Sequence, residues 1–175
     1  LRRLVDDLRT LSLADAGELK LFRQPITLYD LLERVAVAYR HQAEERKVEL
    51  KVEVESGLPE VNLDAERMEQ VLGNLVSNAL RYTPKGGKIS LSSRQAEGNL
   101  IVRVEDDGSG IPAEILPHIF ERSFRGDASR SGNESGLGLA IAKSIVELHG
   151  GTIRAASDTF GARFIIAIPN PSMKQ

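Results

Sequence analysis

Two asparagines and an arginine, Asn74, Asn78 and Arg81, stand at i, i+4 and i+7. On a helix that spacing places them along one line. The apolar stripe of the same segment, Met68, Val71, Leu72, Leu75 and Ala79, runs beside that line. Asparagine is a mediocre helix former and gains nothing from apolar burial. Two of them at the edge of a core need a partner, either a polar ligand or a neighbouring loop. A second group begins Asp106-Asp107-Gly108-Ser109-Gly110-Ile111-Pro112 and closes Ser135-Gly136-Leu137-Gly138-Leu139. Glycines there let the backbone turn tightly and approach a ligand closely. The N–H groups that open a helix after Gly136 favour an anion such as phosphate. Together these residues read as a nucleotide pocket, with a base at one end and phosphates at the other. Each glycine pair taken alone is equally a turn or a helix cap.

Two familiar nucleotide motifs are excluded. No G-x-x-x-x-G-K-[ST] occurs. Gly136-Leu137-Gly138 follows a polar loop rather than a strand, and Ile141 stands where a third glycine belongs, which argues against a dinucleotide fold.

The surrounding pattern supplies elements to hold these residues. Leu1, Leu4, Leu8 and Leu11 form a heptad seam on an opening helix, stopped at Asp15-Ala16-Gly17. Residues 18–26 read as a connector. Thr27-Leu28-Tyr29-Asp30 resembles a capping box for a helix carrying Leu28, Leu31, Leu32, Val35 and Tyr39 to about Glu45. Val48, Leu50, Val52 and Val54 alternate with charged residues as a strand with one wet face. Val61-Asn62-Leu63 reads as a short edge strand, and Asp64 caps the asparagine helix. Strands marked by Ile89 and Leu91, then by Leu100, Val102 and Val104, flank Glu97-Gly98-Asn99 as a hairpin. Asp106 follows the second strand. Pro112 suits the first turn of a short helix with Ile115, Ile119 and Phe120 on its apolar side. Residues 121–135 form a long polar loop, usually functional or disordered inside a compact domain. A helix over 137–149 and two strands, 152–156 and 162–168, complete the chain.

Length fits one domain with an appendage: 175 residues, 41% hydrophobic and 27% charged. A net charge of −2 implies no broad basic surface for nucleic acid. Absent cysteine excludes disulfides and thiolate metal sites. No apolar run approaches a membrane span. The start on an amphipathic pattern reads as a piece of something longer.

At Asn74…Asn78, Asp106-x-Gly108-x-Gly110, Phe120 and Gly136-x-Gly138 the chain resembles the catalytic ATP-binding domain of bacterial sensor histidine kinases. These belong to a superfamily with gyrase-type and heat-shock chaperone ATPases. The resemblance covers about residues 20–170. It implies an α/β two-layer sandwich, a mixed, mostly antiparallel sheet with three helices on one face. It divides the chain into the end of a dimerising phosphoacceptor helix (1–16), a linker (17–26), the ATP-binding domain (27–170) and a tail (171–175). ATP and Mg²⁺ are the implied cofactors. Asn78 resembles the asparagine that coordinates Mg²⁺, and Asn74 one that supports metal and phosphates. Arg81 stands where a basic residue meets phosphate, and Tyr82 where a ring lines the nucleotide. Asp106 matches the acceptor of the adenine amine. Gly108, Gly110 and Ile111 match the chain that passes the base. Arg125 matches a lid-side arginine, and Ser135, Gly136, Leu137, Gly138 and Leu139 the phosphate-side turn and helix start.

The chain departs from the family at Asn133-Glu134, where small residues are usual. The phosphoacceptor is also missing: His41, His118 and His149 are not in its setting and read as surface or packing residues. The implied partners are a dimerisation domain supplying the acceptor histidine, in a homodimer of the whole protein, and a response regulator. The fragment itself is expected to be a monomer, part of the cytoplasmic portion of a membrane-anchored protein. A hydrolytic ATPase or anti-sigma serine kinase of the same superfamily, or a degenerate module holding a partner, remain as alternatives. The leucine seam favours the histidine kinase over the other enzymes.

Overall fold

The computed structural model describes residues 2–122 and 136–169, with side chains from residue 4 onward. Helix α1 (Arg2–Asp15) leads to strand β1 (Gln24–Ile26), α2 (Leu28–Arg46), β2 (Glu49–Val54), β3 (Val61–Leu63) and α3 (Ala65–Tyr82). Strands β4 (Lys88–Ala96) and β5 (Asn99–Asp106), helix α4 (Gly138–Leu148) and strands β6 (Thr152–Asp158) and β7 (Gly161–Pro169) follow.

The main sheet has the order β2-β4-β5-β7-β6. Only β2 and β4 run parallel; β4-β5, β5-β7 and β6-β7 are antiparallel. Helices α2, α3 and α4 pack on it. This is the expected two-layer sandwich with a mostly antiparallel sheet. Alternation builds the layer: Leu100, Val102 and Val104 of β5 are buried, while Ile101, Arg103 and Glu105 between them are half-exposed. Helix α3 lies across these side chains and buries Met68, Val71, Leu72, Leu75, Val76, Ala79 and Leu80. Each such side chain contributes roughly 1.5–3 kcal/mol on leaving water, so α3 is anchored along its whole length. The asparagine line is thereby held at a fixed height above the sheet.

The caps are those the sequence indicates. Thr27 accepts from the Asp30 N–H at 3.1 Å, and Asp64 accepts from the Arg67 N–H at 3.0 Å. Glu97 and Gly98 take φ of 52° and 74°, the two left-handed residues of a tight hairpin whose twist matches its strands.

Three expectations are corrected. The connector is not featureless: Gln24–Ile26 pairs antiparallel with Val61–Leu63, so the short strand belongs to a separate two-stranded sheet. A three-residue strand carries too little periodicity to register, and Pro25 disguises it. The stretch after Pro112 forms turns and a single 3₁₀ turn at Leu116–His118 rather than a helix. A second proline, Pro117, removes the N–H that would continue it. Ile119 is nevertheless buried, and Phe120 meets Phe164 edge-on at 6.2 Å. Finally, β5 extends one residue further than expected, through Asp106, which pairs with Ala162.

Helix α1 packs against α4. Leu11 is buried there, but Leu4, Val5 and Leu8 are 39%, 58% and 52% exposed. The seam is thus covered at its foot and open above it.

Candidate nucleotide-binding site

Asp106 closes β5 in phase with Leu100, Val102 and Val104, so its carboxylate enters the layer between sheet and helices. It is 5% exposed. One oxygen accepts the Gly108 N–H at 2.9 Å. Burial pushes the carboxyl above its ordinary 3.8, opposed by the backbone N–H groups of Gly108 and Ala162 and assisted by the neighbouring Asp107 and Glu105 charges. A carboxylate so placed is a strong acceptor with limited access to water. An amine-bearing ring fits it; a carbonyl would face it acceptor to acceptor.

Glycine surrounds this carboxylate because nothing larger fits. A β-carbon on Gly108 would lie 2.5 Å from the Tyr82 carbonyl oxygen and 2.8 Å from Asp106 Oδ1. The end of α3 and the turn after β5 are therefore in backbone contact. Gly110 turns with φ 73° against the β6–β7 hairpin, where a β-carbon would lie 2.6 Å from the Asp158 oxygen. The next N–H, of Ile111, donates to Ser157 Oγ at 2.6 Å, and Ser157 donates in turn to the Gly161 carbonyl at 3.1 Å.

The asparagine line faces a different neighbour. Asn74 Nδ2 donates to the Gly138 carbonyl at 3.0 Å, tying α3 to the first turn of α4. Asn78, one turn on, is half-exposed, and its side chain has no hydrogen-bond partner among the described residues. Arg81 lies over the Tyr82 ring, 5.7 Å from its centre. Leu137 is buried and Leu139 packs on the core, so both are structural supports of the α4 start. Gly136 takes φ 67° just before it, and among the described residues no side-chain cap bond is made at that end.

The structure therefore places Asn74, Asn78, Arg81, Tyr82, Asp106, Gly108, Gly110, Ile111 and Gly136 to Leu139 around one edge of the α3–α4 layer. Arg125, Ser135 and the Asn133-Glu134 departure, with the loop that carries them, lie outside the described residues. A cavity of about 400 Å³ borders Asn74 but on the α1–α2 side, lined by Asp6, Asp7, Tyr39, Glu69, Gln70 and Gly73; Asp106 does not reach it. Sequence reasoning missed Ser157, Gly161 and Ala162, which build the floor under Asp106. A glycine opening a strand was a signal for Gly161; Ser157 and Ala162 carry none.

The group's chemistry suits ATP and a hard cation. Asn78 offers a neutral oxygen, and Mg²⁺ takes few protein ligands while sharing phosphate oxygens. Among the described residues no cluster of three His, Cys, Asp or Glu offers a self-contained metal site.

A carboxylate at the sheet's end, glycines in close contact beside it, and amides on the covering helix are the arrangement of a catalytic ATP-binding domain. The chain belongs to the histidine kinase-, DNA gyrase B-, and HSP90-like ATPase family, whose profile matches residues 63–172. It is 39% identical over 170 residues to the sensor protein DivL of Caulobacter vibrioides, covering 97% of this chain and 22% of DivL. It is 37% identical over 163 residues to the signal transduction histidine-protein kinase BaeS of Escherichia coli, covering 92% of this chain and 35% of BaeS. The chain thus spans about a fifth to a third of the length of these relatives. The structure of full-length ShkA in complex with AMPPNP superposes with a TM-score of 0.87 at 28% identity, over 95% of this chain and 35% of that one.

Proposed function

We propose that this chain binds Mg²⁺–ATP and transfers its γ-phosphoryl group to a histidine on a dimerisation domain, as the catalytic part of a sensor histidine kinase. The observation that carries this is Asp106, buried and ringed by glycine positions that exclude a side chain, beneath a helix whose Asn78 is open. The ATP-analogue complex of ShkA and the kinship with BaeS support it. Asp106 holds the adenine amine; Gly108, Gly110 and Ile111 pass the base; Arg81 and Tyr82 line the nucleotide. Asn78 would hold Mg²⁺, which would supply charge neutralisation at the phosphates. Gly136 and Gly138 leave the α4 N–H groups facing phosphate, with Asn74 fixing that turn, and Arg125 and Ser135 complete the phosphate side.

In the transfer, an imidazole nitrogen lone pair attacks the γ-phosphorus. The bond to the β–γ bridging oxygen breaks, ADP leaves with its electron pair, and the imidazole proton passes to solvent. The three histidines here do not qualify as acceptors. His41 lies on α2 and His118 in the 3₁₀ turn of the ATP-binding domain, neither on a dimerising hairpin, and His149 is buried. The acceptor is therefore supplied by a hairpin of which α1 is the closing helix, and the exposed Leu4 and Leu8 are its unfilled seam. A response regulator is the onward partner. No helix among the described residues is long and apolar enough to cross a membrane; the domain's place is the cytoplasmic side of a membrane-anchored sensor.

Calorimetry with ATP, with and without Mg²⁺, tests the pocket. Asn78→Ala is expected to lose most of the magnesium-dependent affinity, and equal affinity with and without Mg²⁺ in the parent chain defeats the assignment. Acid-labile label moving from ATP to a separately supplied acceptor hairpin, and none on this chain alone, is the expected kinase result. Label on a serine of a partner would instead favour the serine kinase.

Slow hydrolysis is a further expectation. Hydrolytic members of the superfamily carry a glutamate one turn before the metal-binding asparagine, where this chain has Asn74. Its amide is already committed to the Gly138 carbonyl and has no useful basicity, whereas a positioned base contributes roughly 10²–10⁴-fold. Phosphate release near the ~10 s⁻¹ of a median enzyme, abolished by Asn78→Ala, would move the assignment to a hydrolytic ATPase.

A further inference from the structure

His149 is 5% exposed and stands at the C-cap of α4. Its Nε2 receives the Asp64 N–H at 3.1 Å. On the other side its Nδ1 lies 2.8 Å from the Ile145 carbonyl oxygen. An amide N–H can only donate and a carbonyl can only accept. The ring here is therefore neutral, with its hydrogen on Nδ1. Asp64, the cap of α3, spreads its carboxylate over two amides, Arg67 at 3.0 Å and Phe22 at 2.8 Å. Arg23 donates to the Leu148 carbonyl at 2.7 Å. The last turn of α4, the first turn of α3 and residues 22–23 thus meet at one point. Residues 16–23 link α1 to β1, alongside the packing of α1 on α4 and the Asp15–Arg122 ion pair.

We propose that neutral His149 latches this connector to the ends of α3 and α4, and that protonating it frees the connector and loosens the docking of α1. A charged imidazole carries hydrogen on both nitrogens. Its Nε2–H would then face the Asp64 N–H, donor against donor. The acceptor within reach is the Asp64 carboxylate, already shared by Phe22 and Arg67. Reaching the ring means turning that carboxylate away from the Phe22 N–H that it now accepts. The charged groups that face the ring act in opposite directions: Asp64 from α3 favours protonation, and Arg23 from the connector opposes it. Burial is the largest influence, and it pushes the ring below its ordinary 6.5. A histidine depressed in the folded state adds stability that is fully present above the unfolded value and is lost as pH falls towards the folded one. The latch is therefore shut at neutral pH and opens as pH falls below the ordinary histidine value. It lies at the opposite end of α4 from Gly138, and the inference does not depend on what binds there.

The chain has no cysteine, so spin labels at Arg9→Cys and Arg94→Cys report α1 against the sheet. Amide exchange at Phe22 and Asp64, divided by the intrinsic rate at each pH, reports the latch itself. Between about pH 7.5 and about pH 5.5, across the histidine range, the parent is expected to broaden its label distances. Exchange at both amides should quicken about tenfold, the scale of leaving one buried amide unpaired. His149→Gln keeps an acceptor but cannot take a proton; it should stay protected and narrow at both pH values. His149→Leu should be open at both. An unchanged parent overturns the proposal, as does a parent-like pH response in His149→Gln or full protection in His149→Leu. Should His149→Leu fail to fold, the parent and His149→Gln series decide the matter.

Discussion

Asp106→Ala is expected to weaken ATP binding by about a hundredfold, since hydrogen bonds to a charged partner are worth roughly 1.5–3 kcal/mol and the adenine amine would be left unpaired. GTP should bind no better to the variant than to the parent, because deleting an acceptor supplies no donor for guanine. Asp106→Asn separates binding from folding. The folded carboxyl is held above its ordinary 3.8, chiefly by burial. A raised carboxyl pKa means that the folded state favours the protonated form. Stability contributed there is present at low pH and declines as pH rises through the folded value. Asparagine carries no charge to desolvate, and its oxygen can still accept from Gly108 and Ala162. Asp106→Asn is therefore expected to unfold at a slightly higher temperature than the parent at pH 7 while losing ATP. That pairing of gained stability with lost ligand is the mark of a group kept for function. Titration calorimetry and thermal unfolding on the same samples give both readings. ATP binding at parental strength in either variant removes Asp106 from the site.

Much of this arrangement was legible in the chain because it rests on local rules. The alternation Leu100, Val102, Val104 was read, but the strand was ended before Asp106; the buried direction of that carboxylate follows only once β5 is extended through it. The helical spacing of Met68 to Ala79 likewise fixes which side of α3 holds Asn74 and Asn78. Thr27 and Asp64 announce helix starts through a side-chain oxygen three residues before an amide. What remained illegible depends on residues far apart in sequence. Nothing near Pro25 indicates that Val61–Leu63 lies beside it. Nothing near Ser157 indicates that the Ile111 N–H needs an acceptor 46 positions away. Asn74 was read as a support of metal and phosphates, while its visible bond runs to the Gly138 carbonyl. That bond joins two of the motifs themselves, and spacing along the chain cannot show such a joint. His149, read as a surface or packing residue, is buried, and the amide it receives comes from the cap of another helix.

Gly161→Ala is expected to be the most damaging single-methyl change in the chain. Gly161 opens β7 with φ 137°, a left-handed conformation that side chains rarely adopt. A β-carbon there would lie 1.8 Å from the Asp106 carbonyl oxygen and 2.9 Å from the Asp107 α-carbon. Both are backbone atoms, so no rotamer change relieves the overlap. The strand pair must part, and the pair in question, Asp106 with Ala162, is the last rung between β5 and β7. Opening that rung withdraws the Ala162 N–H from the Asp106 carboxylate and pulls Ser157 away from Ile111. Backbone strain and the lost rung together place the cost at about 4 kcal/mol or more, in the range reserved for named backbone and core lesions. For a chain of this size that corresponds to a fall in Tm of roughly 8–16 °C. Gly98→Ala is the control: it too has positive φ, 74°, but a β-carbon there meets nothing within 4 Å. It should cost only about 1 kcal/mol, the strain of one left-handed residue. Thermal unfolding of the two variants side by side separates conformational strain from collision. Equal shifts would mean that the β6–β7 turn yields freely, and that Asp106 is not held from below by Gly161.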